Sequence, residues 1–115
     1  MNIETLRDFC KTLPAVSEDI KWGHDLCFLI AGKMFCVTSL EPPFTVSFEV
    51  KAEEFDELSS SPGIIPAPYM ARNKWIQVQD KNRFSKKEWE YYVKQSYDLK
   101  KAKLPKKLLK EYKLG

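Results

Sequence analysis

From Ile3 to Leu13 the apolar residues Ile3, Leu6, Phe9, Cys10 and Leu13 recur at three and four positions, the spacing that lines up one stripe on a helix. Asn2 is placed to cap that helix and Pro14 to end it. The period then changes. Val16, Glu18, Ile20 and Trp22 alternate with Ser17, Asp19 and Lys21, which predicts an edge-like strand, and Gly23-His24-Asp25 turns the chain. Leu26–Ile30 and Met34–Leu40 are apolar runs separated by Ala31-Gly32-Lys33, a tight hairpin. Its short loop is expected to put Phe28, Ile30, Phe35 and Val37 on the core face and Cys27 and Cys36 on the other. Phe44, Val46, Phe48 and Val50 alternate with Thr45, Ser47 and Glu49, the clearest strand in the chain.

Residues 51–59 space Ala52, Phe55 and Leu58 by three among acidic residues, a short helix with a solvated acidic face. Lys74 to Gln79 returns to strand character, with Trp75, Gln77 and Gln79 on one side and Ile76 and Val78 on the other. Ser85 and Glu88 form a capping box, so a helix starts there and runs to about Lys103, its stripe being Trp89, Tyr92, Val93, Ser96 and Leu99. Pro105 suits the first turn of a last helix whose inner face is Leu104, Leu108, Leu109 and Tyr112. The order is α, four β, α, β, α, α, with room for a further short strand within residues 60–74. Short connections and clean alternation predict an α+β fold of two layers: an antiparallel sheet of about five strands with helices packed on one face.

Residues 62–75, Pro-Gly-Ile-Ile-Pro-Ala-Pro-Tyr-Met-Ala-Arg-Asn-Lys-Trp, interrupt this regularity. Three prolines and a glycine exclude a helix or a central strand. Ile64, Ile65, Tyr69, Met70 and Trp75 are too apolar for a solvated loop, because burying each is worth about 1.5–3 kcal/mol. The segment reads either as a plug for one sheet edge or as a rigid crossing that delivers Arg72, Asn73 and Lys74 to the surface.

Pro62-Gly63-Ile64-Ile65-Pro66-Ala67, with Tyr69-Met70 and Trp75, resembles the signature of the MmcQ/YjbR family of small bacterial proteins. Trp22-Gly23-His24, Gly32-Lys33-Met34-Phe35 with Thr38-Ser39-Leu40, and Ser96-Tyr97-Asp98-Leu99 with Lys103-Leu104-Pro105-Lys106 agree with it. The resemblance spans nearly the whole chain and implies a fold similar to the frataxin-like (CyaY-like) and secretion-chaperone-like domains, and a role in binding DNA. Glu49 departs from the pattern, which tends to carry lysine there.

With 115 residues, 43% hydrophobic and 13% aromatic, a single domain over residues 1–115 is expected. No apolar run of membrane-spanning length occurs, and Asn2, Glu4 and Arg7 stand where a signal peptide would be apolar. Cys10, Cys27 and Cys36 are an odd count without metal-ligand spacing, suiting reduced thiols in the cytoplasm. The net charge of +3 conceals an asymmetry that changes the functional reading. Residues 1–70 hold five Lys/Arg against eleven Asp/Glu, and residues 71–115 hold fourteen against five. A basic segment of this kind suits an anionic partner, or a solvated face.

Catalytic chemistry finds little support. His24 is the only histidine, and although Cys27 lies three residues on, nothing in the sequence orients the imidazole. No catalytic residue, metal site or cofactor is expected. Glu4, Asp8, Glu18 and Asp19 could gather cations loosely but read better as a solvated acidic face. The remaining candidate is nucleic acid. Arg72, Asn73 and Lys74 precede the last strand, Lys81, Asn82 and Arg83 follow it, Lys86 and Lys87 open the next helix, and Lys33 sits at a hairpin tip. Lysine and arginine neutralise phosphates and amides read base edges. First-turn lysines oppose the helix dipole unless an anion offsets them. The expected function is non-enzymatic, weak binding of double-stranded DNA by a monomer, through Lys33, Arg72, Asn73, Lys74, Lys81, Arg83, Lys86 and Lys87. The alternative is a protein- or small-ligand-binding domain using a groove between Trp22, His24, Tyr69 and Trp75.

Overall fold

A computed structural model describes residues 1–114. Six strands form one antiparallel sheet: β1 (Val16–Lys21), β2 (Asp25–Ile30), β3 (Lys33–Ser39), β4 (Val46–Glu49), β5 (Ile64–Pro66) and β6 (Trp75–Val78), in the order β1-β2-β3-β4-β6-β5. The helices are α1 (Ile3–Lys11), α2 (Ala52–Ser59), α3 (Lys86–Ala102) and α4 (Lys106–Glu111), with 3-10 turns at Ala71–Asn73 and Lys81–Arg83. The sixth strand is β5, in the stretch where the sequence left room for one. Both helix starts that the sequence marks carry their caps: Asn2 Oδ1 accepts from Thr5 N–H at 2.8 Å, and Ser85 and Glu88 satisfy each other's amides. No helix among the described residues is long and apolar enough to cross a membrane.

Leu6 and Cys10 of α1, Leu58 of α2 and Trp89, Val93 and Tyr97 of α3 meet Phe28, Ile30, Val46, Phe48, Ile76 and Val78 of the sheet in one core. Tyr97 is a core residue that the predicted stripe omitted, and Leu99 is only half-buried. The assignment of hairpin faces needs a larger correction. Phe28 pairs with Cys36 and Leu29 with Met34, so Phe35 is an extra residue, a β-bulge. The bulge turns both Phe35 and Cys36 toward the helices and moves Val37 to the opposite face, beside Cys27. The tight turn before it has φ +49° at Ala31 and +79° at Gly32, the conformation that suits the twist of a two-residue hairpin.

Ser96 explains how a bulge is tolerated in the core. Its hydroxyl donates to the Phe35 carbonyl at 2.6 Å and accepts from the Glu49 N–H at 3.0 Å, so α3 supplies the partners that the disrupted ladder lacks. The next residue, Tyr97, packs edge-on against Phe35 at 5.5 Å and donates its hydroxyl to the Pro14 carbonyl at 2.7 Å. The Ser-Tyr pair therefore pins α3 to β3, β4 and the end of the first helical segment.

Candidate functional site

The sheet face away from the helices carries Cys27, Val37, Ser47, Gln77 and Ile65 in one cross-strand row. Over it lies a groove of about 730 Å³ lined by the Trp22–Asp25 turn, by β3 from Met34 to Ser39, and by Ala67 to Met70. The groove exists because the proline-rich segment cannot stay in the ladder. After Pro66 the chain leaves β5 and crosses the face, held by hydrogen bonds from Ala67 N–H to the Trp75 carbonyl and from Met70 N–H to the Ala67 carbonyl.

Trp22 and Tyr69 flank this groove and break two rules together. Trp22 is 67% exposed and Tyr69 fully so, and both sit at positive φ, +55° and +66°. Left-handed backbone at a bulky non-glycine residue costs on the order of 1–3 kcal/mol, and strained residues cluster where ligands are clamped. His24 Nδ1 lies 3.1 Å from Asp25 Oδ1 at the same end. Trp75, expected on this groove, is not there: it is 2% exposed and turns toward a neighbouring recess.

That recess, about 390 Å³, is lined by Lys33, Met34, Glu49, Met70, Asn73, Trp75, Lys100 and Lys103. Lys33 comes from the hairpin tip, Asn73 from the 3-10 turn that also holds Arg72, and the two later lysines from the end of α3. Lys74, which closes that turn, lies over the Phe55 ring of α2 at 5.1 Å. Glu49 is the opposing charge. It is 6% exposed, its Oε2 accepts from Lys103 Nζ at 2.6 Å, and its Oε1 has no partner.

The predicted basic residues therefore form two groups. Lys33 and Asn73 meet at the recess, with Arg72 and Lys74 their chain neighbours on the 3-10 turn, the Lys74 ammonium being directed to Phe55. Lys81, Arg83, Lys86 and Lys87 lie beyond the four residues of β6, about 13 Å of strand away, and do not converge with them. Lys100 and Lys103 were missed, although their clustering at the end of a predicted helix was visible. They lie about 20–25 Å along α3 from Lys86.

Cys27, three residues from His24 in the sequence, is buried, and burial raises its thiol pKa. Among the described residues, no group of three His, Cys, Asp or Glu side chains is arranged to hold a metal ion. Glu18, one of the acidic residues considered for cations, is engaged at both oxygens by Arg7 at 2.9 Å.

Two solved structures share this architecture. A Deinococcus radiodurans protein with the domain DUF419 aligns with a TM-score of 0.88 at 23% identity, over 99% of this chain and 89% of its own. A Pseudomonas syringae protein aligns with a TM-score of 0.72 at 21% identity, over 86% of this chain and 98% of its own. No curated protein matches. Residues 11–99, from the end of α1 to the last turns of α3, match the family described as YjbR, and with the motifs of the crossing segment, the hairpin and α3 in place the chain belongs to the YjbR family.

Proposed function

We propose that this YjbR domain is a non-enzymatic protein of the cytoplasm that binds DNA, mainly through phosphates, at the end built from Lys33, Arg72, Asn73, Lys74, Lys100 and Lys103. One observation carries the reading: segments far apart in the sequence bring three lysines and an asparagine around one recess whose single carboxylate is already paired. A surface of this kind attracts a polyanion and positions it without reading its sequence. The exposed His24 and the raised thiol of Cys27 support a binding role over catalysis. Three free, buried cysteines fit a reducing compartment.

The test is fluorescence anisotropy of a labelled random-sequence duplex at several salt concentrations. A log–log slope of about −3 or steeper is expected. Lys33→Glu with Lys100→Glu should weaken binding about tenfold or more and flatten the slope by about two. Lys81→Glu with Arg83→Glu should change it little. No binding at low salt would remove the DNA reading.

A second reading, a groove for a protein or small ligand, is favoured by the strained, exposed Trp22 and Tyr69. Under it, charge reversal at Arg72 and Lys74 has little effect, and His24→Ala or Tyr69→Ala abolishes the ligand-induced change in Trp22 fluorescence.

A further inference from the structure

The groove and the basic recess adjoin each other and share Met34 and Met70 in their walls. We propose that together they take single-stranded DNA, with unpaired bases in the groove and phosphates on the basic recess, an inference that rests on the DNA reading above.

The two halves are chemically different in the way such a ligand requires. Lys33, Lys100 and Lys103 line the recess, whereas no lysine or arginine lines the groove. The ionisable groups of the groove are His24, Asp25 and the Tyr69 phenol, and Lys21 faces Asp25 across the β1–β2 pair. A phosphate is thus drawn to the recess, and the groove is left for an uncharged, flat and apolar group. Trp22 and Tyr69 offer rings in water beside it, and bare aromatic faces next to a basic track are how proteins hold unpaired bases without sequence preference. Asp25, His24, Ser39, Thr45, Ser47 and Gln77 supply polar contacts for base edges. The groove follows β3 from Met34 to Ser39, about 17 Å at strand spacing, so a strand that enters at the lysines runs on toward Trp22. Bases paired within a duplex cannot stack on these rings, which makes the single strand the preferred form.

The closing experiment compares a short oligothymidine, an abasic strand of equal length and a duplex of equal length. Trp89 is buried, whereas Trp75 lines the recess, so the part of the emission change that Trp22→Phe removes is the part that reports Trp22. The oligothymidine should bind at least about fivefold more tightly than the abasic strand and quench Trp22. Tyr69→Ala should bring its affinity close to the abasic level while leaving duplex affinity unchanged, and Trp22→Ala should do the same. Trp22→Phe, which keeps a stacking face, should retain affinity without the quench. Equal affinity for the oligothymidine and the abasic strand, with duplex binding intact, would overturn the base seat and leave the phosphate reading standing. Failure of all three to bind at low salt would overturn both.

Discussion

Ser96 shows how much one hydroxyl can hold. It is fully buried and completes the hydrogen bonding of Phe35 at the bulge and of Glu49 in the neighbouring strand. Ser96→Ala leaves a carbonyl and an amide unpaired in the core, each worth about 1–3 kcal/mol. The expected loss is about 2–5 kcal/mol, read as a lower urea midpoint with an unchanged slope. Gly63 is constrained differently: it sits at φ +82°, and an added Cβ would approach the Asp80 Cβ to 2.8 Å. These roles were only half legible. Periodicity placed Ser96 on the inner stripe of α3, but its partners lie 61 and 47 residues away, and such pairings depend on tertiary geometry.

Elements were legible where one rule dominated. The alternation of residues 44–50 and the capping box at Ser85 announced β4 and α3. The faces of the hairpin were not, because the bulge adds one residue and inverts every later assignment on β3. The convergence of basic residues failed for a related reason: proximity in sequence ignores the length of β6, whereas α3 returns its far end to the hairpin tip. Between elements, α1 and β1 are joined by the forked contact of Arg7 with Glu18. The hydrogen bonds from Arg7 hold the Glu18 carboxyl below the usual glutamate range. A lowered pKa in the folded state means a contribution present above the unfolded glutamate pKa and lost as pH falls through the folded one. The stability difference between the protein and Glu18→Gln should therefore be present at neutral pH and vanish under acid, as followed by melting temperature across a pH series.

For the whole molecule, the charge asymmetry of the sequence becomes an arrangement in which the end of α3 faces the hairpin tip across Glu49. That carboxylate holds back the field of the recess by pairing with Lys103. Glu49→Gln frees one lysine and removes one negative charge. Duplex affinity should rise severalfold and the salt slope steepen by about one, as measured by anisotropy.

The crossing segment also has a meaning for crowding. The sheet is open, so its two outermost strands, β1 and β5, each have one edge unpaired with another strand. β5 is three residues long and ends in Pro66, which has no amide hydrogen to offer a newcomer, while β1 carries Glu18, Asp19 and Lys21. Short length, proline and charge are what keep sheets from extending into one another. The same prolines that take the chain off the ladder beside the groove also leave β5 a short, interrupted edge for a second copy to pair with.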